Sequence, residues 1–299
     1  MAQRIEIGPA ASLAAPVLLL AALGAVIAGL SLPEHAGQGV QFEPDIETVQ
    51  VPRGRFEYVL PGEFTVGGHV VGAPVESVFL RGALEVMKYQ VSVADYARCV
   101  TDGACLALDE NTPVDPDLPV TGVSYTDAEA YASWLSNVTG ETWRLPTDVE
   151  AAHYRMAEAE TAIEAPTDSF VSQWLAEYRE YADRSQVGRS MVQPLGAFGE
   201  NVFGVADANG NLWEWTSTCY ARVRFDNGGD EISRHENCGV RTLQGEHRAY
   251  LSVFIRDAVV GACAVGVPPD HLGIRLIRER HWYDPLIKAV RQIVQPIFA

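Results

Sequence analysis

The sequence predicts a domain of the α+β class that follows an N-terminal transmembrane helix. Residues 10–32 carry no charge and are rich in Leu, Ala and Val, which is typical of a membrane span. Residues 126–137 repeat apolar side chains at helical spacing, whereas residues 75–80 and 86–93 have the Val, Phe and Tyr content of strands. Two clear helices among many short strands indicate the class, but they do not dictate a topology.

The apolar N-terminal segment favours an uncleaved anchor over residues 1–32. About 20 such residues cross a bilayer as a helix. A cleaved signal peptide, which is the alternative, has a shorter apolar core and a small-x-small cleavage site, and residues 31–36 make a poor one. Arg4 is the only basic residue before the span, and this weak bias places the N-terminus in the cytoplasm. The sequence therefore predicts a single-pass inner-membrane protein that contacts the lipid bilayer through this helix and holds its domain in the periplasm.

Charge and composition narrow the classes of partner. The chain has 39 acidic and 22 basic residues, a net charge of −17, and no basic cluster offsets this balance. Such a charge repels phosphate backbones, so we expect no nucleic-acid partner. The hydrophobic content of 47% is ample for a core, and the Pro- and Gly-containing residues 33–55 predict a linker before the domain.

Cap residues predict where the helices begin and end. The candidates are Ser92 for a short helix at 95–100, Ser124 or Thr126 for the helix at 126–137, Gly140 for its end, and Pro146-Thr147 for a helix that reaches about Glu160. Residues 161–181 are an insertion that extends this last helix in our prediction. The rest of the chain is rich in turns and contains no repeat.

Five cysteines predict two short-range disulfides in an oxidising compartment. Spacing and local context favour the pairs Cys99–Cys105 and Cys219–Cys238, and free buried thiols are the alternative. Neither pair has the histidine spacing of a zinc site. Cys263 lies among Val and Ala residues, and because an apolar environment raises the pKa of a thiol, a packed core cysteine is favoured over a reactive one.

Residues 201–215 carry the polar side chains that most resemble a binding site. Asp207 and Glu214 supply carboxylates, with amide oxygens between them, and these are hard donors of the kind that calcium takes. Asn209-Gly210 favours positive φ in a tight turn. The spacing is not that of an EF-hand loop, and on residue chemistry alone a polar turn between two buried aromatic segments is the favoured alternative.

The same segment resembles the signature of the formylglycine-generating enzyme domain, also called the sulfatase-modifying factor domain. The matching residues are Asn201, Phe203, Gly204, Gly210, Asn211, Trp213, Glu214 and Trp215. Further blocks in the expected order are 89–92 with Tyr96, 119–125, 127–135, 144–147 and 273–276. The resemblance covers roughly residues 56–280, and it implies the irregular C-type-lectin-like fold of that family.

The resemblance favours calcium over a plain polar turn. In that family a structural calcium ion takes a side chain, two backbone carbonyls and a glutamate, which fall here on Asp207, Gly210, Leu212 and Glu214. Asp207 replaces the usual Asn, which keeps an oxygen donor and adds charge. The resemblance therefore implies a structural calcium site in this loop.

The resemblance argues against formylglycine generation. Catalytic members hold copper with two cysteines, five positions apart, and oxidise a substrate cysteine. Counting without gaps from Gly245 to Pro268 places Tyr250 and Ile255 at those positions, and neither side chain offers the soft thiolate that Cu(I) requires. Cys263 falls where the family has Arg, so it does not substitute. We expect no copper.

Histidine chemistry offers a weaker route to catalysis. Other members of the superfamily use iron held by three histidines on a separate domain, which this sequence lacks, and its seven histidines are scattered without metal spacing. His247 stands beside Glu246 and Arg248 and has the chemistry of a general base, but a solvated surface histidine is favoured. The sequence therefore favours a non-catalytic protein over an enzyme.

The C-terminal tail, residues 281–299, predicts an amphipathic helix. Its apolar face comprises Leu286, Val290, Ile293, Val294 and Ile297. It is predicted either to dock on a membrane or partner, with Trp282 and Tyr283 at the interface, or to pack back on its own domain.

Two classes of function follow. The first is a membrane-tethered periplasmic binding or accessory module that supports or assembles another envelope or membrane protein complex. The alternative is a periplasmic tailoring oxidase of the same superfamily, like members that modify siderophore precursors, using Tyr250, His247 and Glu246. A weaker third resembles the accessory members that are encoded beside copper nitrite reductase.

Overall fold

A computed structural model describes most of the predicted domain. The described residues are 46–109, 115–156, 191–245, 248–257 and 271–280. The chain divides into two units, Met1–Glu43 and Pro44–Ala299, and all described residues belong to the second. Across these ranges no helix is long and apolar enough to cross a membrane. The predicted anchor at 1–32 and the tail at 281–299 lie outside the described residues.

The described part of the chain forms three helices and twelve strands. The helices are α1 (Val93–Thr101), α2 (Tyr125–Thr139) and α3 (Asp148–Tyr154). The strands are β1 (Thr48–Val51), β2 (Gly54–Val59), β3 (Glu63–Val66), β4 (His69–Val71), β5 (Val75–Leu80), β6 (Leu84–Met87), β7 (Thr142–Arg144), β8 (Trp213–Phe225), β9 (Glu231–Gln244), β10 (Arg248–Ser252), β11 (Leu272–Gly273) and β12 (Ile277–Glu279). The mixed helix and sheet class is confirmed, with strands predominating.

The strands form three sheets. The six-stranded sheet has the order β10-β9-β8-β3-β4, and β11 pairs in parallel with the first residues of β8. The four-stranded sheet has the order β1-β6-β12-β7 and is antiparallel throughout. Strands β2 and β5 form a separate antiparallel pair.

The folded domain begins earlier than residue 56. Strand β1 lies within residues 33–55, for which the sequence predicts a linker, and it pairs with β6 from Thr48 opposite Met87 to Val51 opposite Leu84. Val51 is fully buried in a small core beside α3. Within the predicted linker, residues 48–51 and 54–55 are therefore strand, and Val51 is part of a core.

The helix caps follow the sequence closely. Ser92 caps α1, and Ser124 caps α2 in a reciprocal capping box with Asp127. Gly140 ends α2 in the left-handed region with φ of 69°, which a residue without Cβ adopts freely. Thr147 caps α3, but this helix ends at Tyr154 rather than near Glu160, with Arg155 as its C-terminal cap.

The strands differ more from the prediction. Residues 75–80 form β5 as predicted, whereas the strand predicted at 86–93 shares only residues 86–87 with β6, and its last two positions are the cap and first residue of α1. The sequence patterns also missed the long antiparallel ribbon of β8 and β9. The outer half of β9 is exposed along residues 231–239, so it lacks the alternating apolar pattern that marks a strand.

The main core lies where α2 packs against the six-stranded sheet. Trp215, from the conspicuous aromatic motif, is fully buried, and its indole Nε1–H donates to the carbonyl of Val123 at 2.8 Å. Its ring meets Tyr125 edge to face with centroids 5.9 Å apart. Trp215 therefore joins the start of α2 to β8. The aromatic motif at residues 213–215 thus contributes to the core as well as to the adjoining loop.

Both predicted disulfides are confirmed. Cys99–Cys105 ties the last turns of α1 to the loop after it, and Cys219–Cys238 ties β8 to β9. Their Cα atoms lie 5.3 Å and 4.5 Å apart, respectively. Cys263 lies outside the described residues, so its packing stays a prediction.

Candidate functional site

The loop that precedes β8 is organised by Asp207. Its two carboxylate oxygens accept backbone N–H groups from Gly196 at 2.6 Å and from Phe198 at 2.8 Å. Asp207 itself has φ of 52°, and Asn211 has φ of 69°. Gly210 does not have the positive φ that the sequence predicts for it; a Cβ there would stand 2.7 Å from the ring of the exposed Phe198. The Asp207 carboxylate therefore stabilises its own loop through these backbone hydrogen bonds.

Glu214 is the centre of a buried polar cluster. Its side chain is fully buried and faces two guanidinium groups, those of Arg275 at 2.9 Å and Arg155 at 3.2 Å. Gln90 and Tyr154 each donate a further hydrogen bond at 2.9 Å. Burial alone would raise the pKa of the Glu214 carboxyl, but the two arginines hold it below its ordinary value. Glu214 is therefore an ionised and fully engaged carboxylate.

The fold brings these partners together from distant parts of the chain. Glu214 pairs with Gly273 where β11 runs beside β8, and Arg275 follows two residues later. The end of α3 supplies Tyr154 and Arg155. Arg275 also donates to the backbone carbonyls of Met87 at 3.0 Å, Lys88 at 2.6 Å and Ala206 at 2.7 Å. The cluster is thus a structural junction between several segments.

The four predicted calcium ligands, Asp207, Gly210, Leu212 and Glu214, do not fit a calcium ion as they are arranged here. Both oxygens of each carboxylate already accept hydrogen bonds or contact arginine. The carbonyl of Gly210 accepts the N–H of Leu212 at 2.8 Å. An ion at Glu214 would also meet two cations at close range, which is electrostatically unfavourable. Calcium binding therefore rests on the family resemblance alone, and the chemistry proposed below does not involve it.

Tyr250 lies where the resemblance places one of the copper cysteines. It stands on β10 opposite Thr242, and its hydroxyl accepts the backbone N–H of Gly62 at 2.7 Å. Its ring meets Tyr220 edge to face with centroids 5.1 Å apart. Burial raises the pKa of Tyr250 above its ordinary value, so the phenol stays protonated at neutral pH. A neutral, hydrogen-bonded phenol is a poor ligand for a soft metal.

Ile255 lies where the resemblance places the second cysteine. It is partly buried and packs against the main core, in which it contributes only alkyl surface. In the part of the chain that the structure describes, no group of three or more His, Cys, Asp or Glu residues could hold a metal ion. The described geometry therefore offers no soft-metal site at these two positions.

A second buried carboxylate, which the sequence patterns did not single out, lies beside Tyr250. Asp148, the first residue of α3, is fully buried and pairs with Arg248 at 2.8 Å. Gln244 donates to it at 2.6 Å and the hydroxyl of Tyr58 at 2.5 Å. Burial, followed by the charge of Asp148, raises the pKa of Tyr58 above its ordinary range. With these three partners, the carboxylate is engaged like Glu214 and is not poised as a free base.

The histidine candidates contribute no described catalytic group. His247 and Glu246 lie outside the described residues. His153, which is buried in α3, has its Nε2 2.8 Å from the carbonyl of Pro52 and its ring 4.9 Å from that of Phe56. This is the environment of a core histidine that joins α3 to the first strands.

Comparison with known proteins defines the class. Residues 40–280 match the model of the sulfatase-modifying factor enzyme 1-like domain, so the chain belongs to the family of the formylglycine-generating enzyme, as the sequence motifs predict. It is 35% identical over 116 residues to the formylglycine-generating enzyme of Mycobacterium tuberculosis, which is 36% of each chain. It is 29% identical over 115 residues to the inactive C-alpha-formylglycine-generating enzyme 2 of Bos taurus, covering 37% of this chain and 36% of that one. The aligned segment thus spans about a third of these curated relatives.

Two solved structures align with most of this chain at low sequence identity. A structure of PvdO from Pseudomonas aeruginosa gives a TM-score of 0.49 at 22% identity and covers 78% of this chain and 94% of that one. Treponema denticola variable protein 1 gives a TM-score of 0.48 at 14% identity and covers 78% and 95%, respectively.

Proposed function

We propose that the protein is a membrane-tethered periplasmic binding or accessory module that supports or assembles another envelope protein complex, without the copper-dependent oxidase chemistry of the formylglycine-generating enzyme. One observation carries this proposal. Where the family's catalytic members have a copper-binding cysteine, this chain has Tyr250, whose hydroxyl is occupied by the amide of Gly62. The second position has Ile255, which packs against the core.

Neighbouring interactions support the loss of this chemistry. Beside Tyr250, the Asp148 carboxylate is engaged by Arg248, Gln244 and Tyr58, so the polar groups at this place satisfy one another. A catalytic site needs at least one group that is free to bind the reacting atoms. The polar groups that remain at this place in the family scaffold are therefore structural.

The proposed location has separate support. The uncharged residues 10–32 are long enough for a membrane span, and the two disulfides are typical of proteins outside the cytoplasm. We also propose that the domain has the C-type-lectin-like form of the fold that the family resemblance implies. Reporter fusions at the C-terminus, compared between alkaline phosphatase and a cytoplasmic reporter, test the orientation. Activity of the cytoplasmic reporter alone would contradict it.

The alternative, a periplasmic tailoring oxidase, depends on a redox-capable group near Tyr250. The neighbouring phenols of Tyr220 and Tyr250 are the one described feature that favours it. Metal content separates the two functions. We expect the full-length protein, purified in mild detergent from copper- and iron-supplemented cells, to contain neither metal in stoichiometric amount.

A matched variant makes the metal test sharp. Tyr250→Cys combined with Ile255→Cys restores two thiolates at the family's spacing, and we expect this variant to gain Cu(I) binding that the natural chain lacks. Conversion of a single-cysteine peptide to formylglycine by the natural chain, or stoichiometric copper or iron in it, would overturn the proposal. The accessory role further predicts that a stoichiometric envelope protein co-purifies, and a clean monomer would count against that role.

A further inference from the structure

The Cys219–Cys238 disulfide lies at an irregular place in the β8–β9 ribbon. Cys219 is opposite Arg241, but the next residue, Tyr220, is opposite Asn237, so residues 238–240 have no partner on β8. The ladder register thus shifts at the disulfide. Cys238 is exposed and Cys219 is only partly buried. A thiolate from solution can therefore approach Cys238 more easily than Cys219.

Arg241 places a positive charge beside Sγ of Cys219, the less exposed of the two cysteines. Its Nη1 lies 3.0 Å from Sγ of Cys219 and 2.5 Å from the carbonyl of Ser217. The guanidinium also lies over the ring of Tyr125, 4.5 Å from the centroid, and its Nε is buried without a hydrogen-bond partner. Among the described residues, no carboxylate forms an ion pair with Arg241. Within the described ranges, the atom closest to this charge on the disulfide is therefore Sγ of Cys219 and not a carboxylate oxygen.

We propose that Cys219–Cys238 is a redox-active disulfide that oxidises a dithiol, with Cys238 as the attacked sulfur and Cys219 as the leaving group. A thiolate with a low pKa leaves faster, and a cation beside a thiolate lowers its pKa. Opening the disulfide would place a thiolate anion on Cys219 beside the Arg241 guanidinium. The same contact would stabilise the reduced form and make the disulfide more oxidising.

The reaction balances as an ordinary exchange. One thiolate of the substrate dithiol attacks Sγ of Cys238, and the electron pair of the broken S–S bond leaves on Sγ of Cys219. The second substrate thiolate then attacks the substrate sulfur of the mixed disulfide and releases Cys238, which takes a proton from water. The substrate loses two electrons and becomes a disulfide, while Cys219 and Cys238 become a dithiol. A small disulfide such as glutathione disulfide restores the protein.

The molecule contains its own control. Cys99 is fully buried and Cys105 is 7% exposed, so the other disulfide is shielded from attack. With dithiothreitol in limiting amount, we expect reduction of Cys219–Cys238 at least about tenfold faster than that of Cys99–Cys105, because access and leaving-group stability both favour it. Alkylation of the full-length protein followed by peptide mass spectrometry measures both, with Cys263→Ser as the background. Equal rates would overturn the proposal.

Arg241 variants test the assigned role of the charge. Arg241→Met should slow reduction of Cys219–Cys238 by about threefold, since one adjacent cation shifts a thiol pKa by about one unit and exchange rates change by roughly half a log unit per pKa unit. Arg241→Lys keeps the charge and should retain most of the rate. Arg234→Met removes an exposed positive charge from the same strand and should change the rate less than about twofold. An unchanged rate in Arg241→Met would contradict the mechanism.

The pH profile supplies a readout that a purely structural arginine would not move. In the reduced protein, alkylation of Cys219 should titrate below the ordinary thiol pKa of about 8.5, and the titration should move upward in Arg241→Met. A synthetic peptide with two cysteines should be oxidised by one equivalent of protein. These tests are independent of the proposed accessory role, because they require neither a partner nor a membrane.

Discussion

The guanidinium of Arg275 lies 2.9 Å from the carboxylate of Glu214, and neither side chain is exposed to solvent. Glu214 belongs to the most recognisable motif of the chain, yet it faces an internal cation and contacts no open pocket. Through Arg275 it is connected to the carbonyls of Met87, Lys88 and Ala206. The pair therefore holds the start of β8, the end of β6 and the Asp207 loop in one arrangement.

Removal of the Glu214 charge should destabilise the domain strongly. Glu214→Gln leaves Arg275 and Arg155 buried without their anion, and breaking such a pair costs about 3–5 kcal/mol in the free energy of unfolding. Urea denaturation measures the loss. The matched control is Glu231→Gln, which removes the partner of Arg234 in an exposed ion pair and should leave the unfolding midpoint unchanged. A loss below about 1 kcal/mol for Glu214→Gln would show that the interior pair is not the junction described here.

Acid should weaken the four-stranded sheet through Glu85. Burial alone would raise its pKa, but hydrogen bonds from Arg280 and Arg278 lower it to about 2. The contribution of this carboxylate is therefore fully present above its unfolded pKa of about 4.5 and is lost as the pH falls toward 2. Glu85→Gln should be less stable at neutral pH and should show a flatter loss of stability between these values. Parallel curves for the two proteins would contradict this assignment.

Calcium should have little effect on stability while the arginines hold Glu214. Because Glu214 and Asp207 are both engaged, millimolar calcium added to chelator-treated protein should leave the thermal midpoint unchanged. Differential scanning calorimetry with and without calcium checks this. A saturable increase in the midpoint, lost in Glu214→Gln, would instead support the calcium site predicted from the family resemblance.

Two glycines with different surroundings provide a packing test. A Cβ at Gly245 would overlap the ring of Trp213, whereas a Cβ at Gly72 would meet nothing within 4 Å. We expect Gly245→Ala to destabilise the domain by about 1–3 kcal/mol through overpacking. Gly72→Ala should be close to neutral, and urea denaturation of both variants makes the comparison. Equal midpoints would mean that Trp213 moves aside without penalty.

Local signals in the sequence predicted the helices and the disulfides well. Ser124 and Gly140 fix the ends of α2 because capping depends on residues a few positions apart, and the structure has both caps. The Cys99–Cys105 pair was predictable for the same reason, since the intervening loop is short. These features depend on neighbours along the chain, which a sequence shows directly.

The polar clusters were not predictable in this way. Arg275 stands 61 residues from Glu214, and Arg248 stands 100 residues from Asp148. No local spacing connects such pairs, so the acidic residue alone suggested a metal ligand. The family resemblance identified Glu214 as a site residue. Its partner Arg275 lies beside it only because the fold pairs β11 with β8.

The four-stranded sheet has a mechanical consequence. Strands β1 and β12 both run antiparallel to β6, so they run parallel to each other on its two sides. The chain enters this sheet next to Met87 and leaves it past Glu85, at opposite ends of β6. Tension applied through the two ends of the domain would therefore act along the strands and load the perpendicular hydrogen bonds of β6 together, in shear, instead of peeling them apart one at a time.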